Sequence, residues 1–331
     1  MNAKKIFSRF EEVRDIYIGK KISLIRKLFY YIDWSFAYLI HGASISDYFA
    51  YGFYKLRHNG RTEYITCRRH KKIQSICNSS LTDREICRNK IKFNQHFSDY
   101  IGREWLDVNE VNKAQFKSFF ERHPVVFIKE IEGYCGIGIK KCISSECDID
   151  TLYDKLLQNN HSHFILEEQI TQHPALEEFH PWSINTIRIV TIYDTVTNNV
   201  HIVNARFRMG NMKNGMDNFH AKGLCANIDV ETGIIISEGY DKQNHLYVQH
   251  PLTEKQIVGF QIPYWKECTY FVKNIARILP TVRYIGWDVV IRNDGSFILI
   301  EGNDNADHDI QQSHNQGLWK QYKSIIKDLR Q

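Results

Sequence analysis

A β-hairpin signal near the end of the chain constrains the fold more than any other feature of the sequence. Two runs of β-branched and large apolar residues, 284–292 and 296–301, flank the tripeptide Asn-Asp-Gly at 293–295. Asn, Asp and Gly tolerate the positive φ of a tight turn, so the two runs are predicted to pair as antiparallel strands. A two-residue turn places Asp288 directly opposite Glu301. A three-residue loop would shift this pairing by one residue.

Three oxygen-bearing side chains are predicted to meet at one end of this hairpin. Asn303 follows Glu301 by two residues and projects from the same face, because strand side chains alternate. Gly286 lies opposite Asn303 and leaves room beside it. Two carboxylates and one amide oxygen are hard ligands suited to Mg²⁺ carried by a nucleotide's phosphates, so Asp288, Glu301 and Asn303 form a candidate metal site. The alternative is a hairpin whose solvent face merely carries polar residues, but acids that interrupt apolar strands cost burial energy unless something occupies the site.

Arginines interrupt two further predicted strands. Arg188 lies in the β-branched run 183–193, and a buried guanidinium needs a carboxylate or a phosphate to face it. A structural salt bridge is the competing explanation. Residues 200–209 alternate in polarity and place Arg206 and Arg208 on one face. The polar, glycine-containing segment 211–223 is predicted to be a loop over a site, and its candidate substrate contacts are Asp217, Asn218 and Lys222, with Arg206.

A glycine-rich turn lies earlier in the chain, between the predicted strands 124–130 and 137–142. Its glycines are Gly133, Gly136 and Gly138. Glycines let backbone N–H groups approach phosphate oxygens, and Lys129 on the incoming strand supplies positive charge. The spacing is neither the dinucleotide fingerprint nor a P-loop, because no helix opens from it. Alone, such a hairpin is also typical of an ordinary turn.

Length and composition predict a soluble globular protein with more than one packed unit. The chain has 331 residues, 43% hydrophobic and 24% charged, and no apolar run approaches the ~20 residues of a membrane span. No secretory signal follows the first residues, and the eight cysteines form no CxxC pair. We therefore expect free thiols and a cytoplasmic protein.

The net charge of +5 conceals an asymmetry between the two ends of the chain. Residues 1–92 carry 19 Lys and Arg against 8 Asp and Glu, a net charge of +11, whereas the remainder carries 24 against 30, a net charge of −6. A basic first third predicts an anionic partner, and no nucleic-acid module signature is present. The aromatic residues beside Lys20-Lys21 indicate an interfacial helix that contacts an anionic membrane surface peripherally, or a helix packed on its own domain, which the balance favours.

Taken in order, these motifs resemble the sugar-transfer-associated ATP-grasp family, which is found with polysaccharide and surface-sugar biosynthesis. The resemblance runs from about Lys90 to the end of the chain, and the strings SINTIRIVT, GWDVVIRNDG and LIEGN are its most specific parts. It implies an α+β fold in which two subdomains grip ATP. We expect a basic helical region at 1–82, a small subdomain at 83–170 and a large subdomain with the metal site at 171–331.

The resemblance also implies roles for individual residues. Lys90 and Lys129 would bind the phosphates or the adenine face of ATP, and Gly133, Gly136 and Gly138 would close over the triphosphate. The stretch Glu167, Glu168, Gln169 and Ile170 would be the hinge that contacts adenine, although a strand end with solvated acids looks the same. His173 would reach the ribose, where related enzymes often carry an acid. Asp288, Glu301 and Asn303 would hold Mg²⁺, and Arg188 and Arg208 would be catalytic.

The implied activity is an ATP- and Mg²⁺-dependent ligase. ATP would activate the carboxylate of an acidic or sugar-linked substrate as an acyl-phosphate, which an amine or alcohol then attacks. The first alternative is a kinase acting on a sugar or lipid-linked hydroxyl, for which Asp217, Asp304 or His308 would serve as the general base. The second is a nucleotide-binding scaffold without turnover. Neither substrate nor the oligomeric state follows from the sequence.

Overall fold

The computed structural model describes residues 3–131, 138–159, 162–212, 219, 223–312 and 316–329. Five of the predicted site residues lie outside these ranges: Gly133, Gly136, Asp217, Asn218 and Lys222. The helices are α1 (Ala3–Tyr17), α2 (Leu24–Phe36), α3 (Ile45–Ala50), α4 (His58–Thr62), α5 (Cys67–Cys77), α6 (Leu81–Arg88), α7 (Lys90–His96), α8 (Ser98–Ile101), α9 (Lys113–Arg122), α10 (Ile149–Leu157), α11 (Pro174–Glu177), α12 (Trp265–Ala276), α13 (His308–Gln312) and α14 (Trp319–Asp328). The strands are β1 (Trp105–Asp107), β2 (Val125–Glu130), β3 (Lys140–Ile143), β4 (Phe164–Glu168), β5 (Ile187–Asp194), β6 (Asn199–Met209), β7 (Leu224–Asn227), β8 (Gly239–Tyr240), β9 (Leu246–Tyr247), β10 (Tyr284–Ile291) and β11 (Phe297–Asn303).

Two antiparallel sheets organise the chain. The smaller has the strand order β1-β4-β2-β3, and the larger has the order β11-β10-β5-β6-β7-β8-β9. Helices α9 and α10 cover the smaller sheet through a core that includes Phe116, Phe119 and Tyr153. Together with the helices, these sheets confirm the predicted α+β class.

The large sheet is packed on both faces. One face of β5 and β10, with Ile189 and Trp287, packs on α12. The opposite face, with Val190 and Tyr284, packs on α5 and α14. Arg188 and Asp288 also belong to this second face, because side chains two residues apart along a strand share a face. Beyond this core, the second face is therefore occupied by charged groups.

Residues 3–80 form a helical region with an aromatic core, in which Phe10, Tyr30 and Phe49 are buried. The apolar pattern from Arg84 to Phe97 predicts a single helix, but the structure divides this segment at Asn89. Asn89 has extended backbone angles and ends α6, and its side chain accepts the backbone N–H of Lys92 to cap α7. The break gives Lys90 a new direction at the first position of α7.

Within the described ranges, no helix combines the length and apolarity needed to cross a bilayer. Seven cysteines fall in these ranges, and no disulfide joins any two of them.

Candidate functional site

The β10–β11 hairpin places Asp288 opposite Glu301, and Gly286 opposite Asn303, as the sequence predicts. The route to this register differs from the predicted one. The turn is a three-residue loop, in which Gly295 has φ +78 and the N–H of Arg292 donates to the carbonyl of Ser296. This loop alone would put Ile300 opposite Asp288.

A β-bulge corrects the shift. Val289 pairs with Leu299 and Asp288 pairs with Glu301, so Ile300 is the extra residue on β11. Without the bulge, Glu301 would project from the face that carries Trp287. The bulge re-aims the carboxylate, which is a recurring use of bulges beside functional sites.

A row of polar side chains crosses four neighbouring strands of the large sheet. Arg206 pairs with Arg188, Arg188 pairs with Asp288, and Asp288 pairs with Glu301. Side chains directly opposite each other on one face are close enough to interact. The register therefore places four charged residues in one row, from β6, β5, β10 and β11.

Asp288 is the centre of this cluster and is 2% exposed. The Arg188 guanidinium binds Asp288 through two hydrogen bonds, with Nε donating to Oδ1 and Nη2 donating to Oδ2 at 2.9 Å. Arg208 Nη1 lies 2.7 Å from Oδ2. Burial would raise the pKa of Asp288, but the two guanidinium groups outweigh it and hold that pKa well below its usual range. Asp288 is therefore a carboxylate at neutral pH.

Glu301 differs from Asp288 in its exposure to solvent and in the direction of its pKa shift. Its side chain keeps 47% of its surface accessible, and Asn303 Nδ2 donates to Oε1 at 3.0 Å. Loss of bulk water and the neighbouring Asp288 carboxylate raise the pKa of Glu301. The two acids thus compete for positive charge, and an added cation would relieve that competition.

Gly286 provides the space in which Arg188 lies. A Cβ at this position would lie 3.1 Å from Arg188 Cδ and 3.3 Å from Ala306 Cα. The following loop has positive φ at two non-glycine residues, Ala306 (φ 51) and Asp307 (φ 32). It brings an Asp307 oxygen to 3.6 Å from Arg188 Nη1. Such backbone conformations are costly and often mark functional sites.

Arg103 joins this hairpin to the smaller sheet, and the sequence analysis missed it. Its Nη1 donates to the carbonyl of Leu299 at 2.7 Å, and its Nη2 donates to Glu167 at 2.9 Å and to the bulged Ile300 at 3.3 Å. Its side chain is 1% exposed. Arg103 precedes β1 in a short polar segment without a motif, so no local pattern identified it.

The predicted phosphate-binding lysines converge on the same region. Lys129 Nζ lies 2.5 Å from Glu167, whose pKa is held well below its usual range: burial opposes ionisation, but Arg103 and Lys129 outweigh it. Lys90 Nζ donates to the carbonyl of Glu130 at 2.8 Å. Burial lowers the pKa of Lys90, while Glu301 acts on it in the opposite direction. Lys129 lies on β2 of the small sheet and Lys90 lies at the first position of α7, within electrostatic reach of Glu301.

The donor set fits Mg²⁺. Asp288, Glu301 and Asn303 offer hard oxygen atoms, and a dication would offset the repulsion between the two neighbouring carboxylates. Across the described residues, no group of three or more His, Cys, Asp or Glu side chains could hold a metal ion. Magnesium tolerates such a site, because it keeps water and phosphate oxygens among its ligands.

The remaining nucleotide candidates have mixed surroundings. Glu168 lies between His123 and Arg292, at 3.2 and 3.3 Å. Gln169 is exposed and Ile170 is partly buried beside it, and Gly138 is exposed just before β3. His173 is the N-cap of α11, where its Nδ1 accepts the backbone N–H of Ala175 at 3.2 Å.

Arg206 shares its face with Arg208, as predicted, but the structure does not turn it toward the Asp288 cluster. It is 2% exposed, and it donates to the backbone carbonyls of Ile310 and Gln311 in α13. These bonds satisfy carbonyl groups of a short helix that has few internal partners. Arg206 thus holds α13 on the sheet, and its contact with a substrate stays a prediction.

Two candidate general bases also have partners. Asp304 is buried and bound by Arg84 and Arg88, which favours a structural role. His308 Nε2 lies 3.0 Å from Asp47 Oδ1, an acid of α3 that is 2% exposed. Burial lowers the pKa of His308, but Asp47 raises it by more.

Comparison with protein families gives one match. The profile described as sugar-transfer associated ATP-grasp matches residues 68–327, which confirms the resemblance inferred from the motifs and the predicted ATP-grasp fold. No curated protein sequence matches the chain significantly.

Solved structures give more distant similarities. The ATP-grasp ligase PsnB complexed with its minimal precursor is 12% identical, with a TM-score of 0.47, over 76% of this chain and 64% of that one. PsnB complexed with minimal precursor, Mg and ADP has a TM-score of 0.46 at 12% identity, over 76% and 61%. N5-carboxyaminoimidazole synthetase from Staphylococcus aureus complexed with ADP has a TM-score of 0.43 at 10% identity, over 71% and 52%. The chain therefore spans less than two thirds of the length of these proteins.

Proposed function

Because the chain belongs to the sugar-transfer-associated ATP-grasp family, we propose that it is an ATP- and Mg²⁺-dependent ligase that activates a carboxylate for attack by an amine or an alcohol. The observation that carries this proposal is the cluster in which Arg188 and Arg208 bind Asp288 beside the half-exposed Glu301. Such a cluster can neutralise charge that develops during phosphoryl transfer.

Each residue of the cluster has a distinct part in this proposal. Asp288, Glu301 and Asn303 would hold Mg²⁺, which would supply charge neutralisation at the phosphate oxygens. Arg188 is held by Asp288 on one side, and its buried Nη1 has no hydrogen-bond partner among the described residues. That N–H would donate to an oxygen of the transferring group or of the substrate carboxylate. The fork onto Asp288 orients Arg188 in advance, so little reorganisation is needed.

The nucleotide would lie between the two sheets. Lys90 and Lys129 would contact its phosphates, and the strand end at 167–170 would contact adenine. Both lysines also have partners within the protein, because Lys129 pairs with Glu167 and Lys90 donates to the carbonyl of Glu130.

The acid that receives the phosphoryl group is proposed to be a uronic acid or another acidic sugar precursor, as the family's association with sugar pathways suggests. We propose to incubate the protein with ATP, Mg²⁺, candidate sugar acids and hydroxylamine. A ligase gives a hydroxamate in step with ADP release, because hydroxylamine captures the activated acyl group. The exposed Glu231→Gln variant serves as the control and should behave like the wild type.

ADP release without any hydroxamate would favour a second candidate, a kinase that acts on a sugar or lipid-linked hydroxyl. The specific observation behind it is the buried Asp47, which orients His308 as a general base would need to be oriented. His308 also lies within electrostatic reach of Asp307, which contacts Arg188.

Phosphorus NMR separates these two candidates. A kinase yields a stable phosphate ester, whereas a ligase yields ADP and inorganic phosphate. In a kinase, His308→Asn should lower kcat strongly and abolish the fall in turnover at acidic pH, because the group whose protonation causes that fall is lost. In the ligase, that variant should retain hydroxamate formation. If no acid and no hydroxyl acceptor released ADP while ATP still bound, both candidates would be rejected in favour of a nucleotide-binding scaffold.

A further inference from the structure

One face of helix α2 and its continuation is apolar and open to solvent. The helix runs from Leu24 to Phe36 and continues as a π-helical turn, Ala37–His41, so that the whole is roughly 27 Å long. Eight apolar side chains along it are between 50% and 83% exposed: Leu24, Ile25, Leu28, Phe29, Ile32, Phe36, Leu39 and Ile40. At 100° per residue they fill one continuous arc, in which Ser35 is the only polar residue. We call this surface the α2 apolar face.

The α2 apolar face does not contribute to the hydrophobic core of this chain. The opposite side of the helix carries Tyr30 and Ala37, which are 2% and 0% exposed. Tyr30 packs edge-on against Phe49, with ring centroids 5.9 Å apart. Helix α2 is therefore packed on its own domain, as the sequence analysis favoured, but by one side only. Exposed apolar patches of this extent mark interaction surfaces in folded proteins.

Basic side chains flank the face at both ends. Lys20, Lys21 and Arg26 are exposed at its beginning. At its far end Arg68 donates to the carbonyls of Tyr38 and Leu39, at 2.9 and 3.1 Å. This contact places Arg68, which is followed on α5 by the exposed Lys71 and Lys72, next to the end of the apolar face.

The acids of this region do not offset that charge at the face. Asp33 is on the inner side, where Arg61 binds it at 2.7 Å and Tyr48 donates to it at 2.7 Å. Glu11 is bound by Arg14, Lys27 and Tyr31. The outward potential around the apolar face is therefore positive.

An apolar helix face between basic clusters fits an anionic lipid surface. Apolar side chains insert at the boundary between headgroups and acyl chains, while Lys and Arg attract acidic headgroups. A second copy of this chain is less suitable, because a symmetric contact would oppose two regions of net charge +11. Nucleic acid would leave the apolar residues without a partner.

We propose that residues 24–40 are an interfacial anchor, which lies in the plane of an anionic membrane and holds the protein at its surface. The inference goes beyond the proposed ligase activity and does not depend on it.

The test is co-sedimentation of the full chain with phosphatidylcholine vesicles that either contain or lack phosphatidylglycerol. The wild type should sediment only with the anionic vesicles, and high salt should weaken this binding. The triple variant Ile25→Ser, Leu28→Ser, Ile32→Ser should lose at least about tenfold in vesicle affinity. Changing Lys20 and Lys21 to Gln should each cost about fivefold.

A matched control changes three apolar residues that are exposed elsewhere, Val196, Val248 and Leu252, to Ser. It should bind vesicles like the wild type. ATP turnover in solution should be unchanged in both triple variants, so vesicle binding is measured independently of the proposed activity.

Three results would overturn the proposal. The first is a wild type that binds neither kind of vesicle, and the second is a triple α2 variant that binds vesicles as well as the wild type does. The third is analytical ultracentrifugation in which the wild type is a dimer, the α2 variant is a monomer, and neither binds vesicles. The α2 apolar face would then be an interface between copies of this chain.

Discussion

Glu301 faces Asp288 because the bulge at Ile300 cancels the one-residue shift of a three-residue turn. Two departures from a regular hairpin thus combine to give the register that a simple two-residue turn would have produced. Arg103 stabilises the bulge because its guanidinium donates hydrogen bonds to the carbonyls of Leu299 and Ile300. The positions of the two acids therefore depend on a residue nearly two hundred positions away, and this dependence can be tested.

Arg103→Gln should destabilise the protein by about 3 kcal/mol, because it leaves the buried Glu167 with Lys129 as its charged partner and the bulge with unpaired carbonyls. ATP turnover should fall as well, since Glu301 is no longer held opposite Asp288. The control is Arg122→Gln, which breaks an exposed pair with Glu104 and should cost at most about 1 kcal/mol. Urea unfolding gives both values. Equal effects of the two substitutions would show that Arg103 does not support the bulge.

Gly286→Ala should lower ATP turnover about tenfold or more, because its Cβ would displace either Arg188 or the backbone at Ala306. Gly60→Ala is the matched control: in helix α4 its Cβ would meet only Leu56 at 3.5 Å, an ordinary contact. That change should leave turnover intact and stabilise the helix slightly. Steady-state kinetics decide the matter, and a Gly286→Ala enzyme with wild-type turnover would mean that Arg188 needs no such space.

Asp288→Asn should lower the free energy of unfolding by about 3–5 kcal/mol, because it leaves Arg188 and Arg208 buried without their shared anion. The variant should therefore unfold at a lower denaturant concentration than the wild type. Loss of activity in this variant would mix a catalytic effect with a structural one. Adding Arg208→Met to remove one of the stranded charges should restore part of the stability, and a double variant less stable than Asp288→Asn would refute the ion-cluster interpretation.

Stability should pass through a maximum near pH 6.5, set by His70 and His308, whose rings stack 4.4 Å apart. Burial, and then the neighbouring His308, lower the pKa of His70 to about 3. Its contribution to the free energy of unfolding is therefore full above about pH 6.5 and is lost as the pH falls toward the pKa of the folded state. Burial lowers the pKa of His308, but Asp47 raises it by more, so the net shift is upward. Its contribution to the free energy of unfolding is therefore full below about pH 6.5 and is lost as the pH rises.

Urea unfolding at a series of pH values measures this curve, with a slope of about 1.4 kcal/mol per pH unit on the acid side. His70→Gln should flatten the acid side, whereas a change of the exposed His96 to Gln should not. An acid slope that persists in His70→Gln would assign it to other groups.

The sequence predicted those parts of the site that depend on local pattern. Strand periodicity and turn residues indicated the β10–β11 pair, and the interruption of apolar strands by charge identified Arg188 and Asp288. It did not reveal that Arg188 and Asp288 are each other's partners, because β5 and β10 are far apart in the chain. Pairing between distant strands is set by tertiary packing, which one sequence does not display.

The errors have the same origin. Helical periodicity continues through Asn89, so the break there depends on a side-chain cap that competes with the helix. Strand β7 follows a polar segment and was not predicted. The carbonyl partners of Arg206 on α13 could not be foreseen either, because they lie a hundred residues away. Arg103 lay in no motif at all.

The α2 apolar face shows a similar limit. The sequence contains both the apolar and the basic residues of this region, but only the structure separates the side that packs on Phe49 from the side that faces solvent. A helix with apolar residues on all sides is usually buried. In this chain, one side of such a helix is left exposed.

The most direct test of the proposed function is ATP turnover by Glu301→Gln with Mg²⁺. This change keeps the size of the side chain and, at a position 47% exposed, leaves no buried cation without its partner. The unfolding transition should therefore match that of the wild type and of the exposed control Glu231→Gln, while turnover falls by about 10²–10³-fold. Wild-type turnover in a folded Glu301→Gln enzyme would contradict the assignment of Asp288, Glu301 and Asn303 as the metal site, and with it the proposed mechanism.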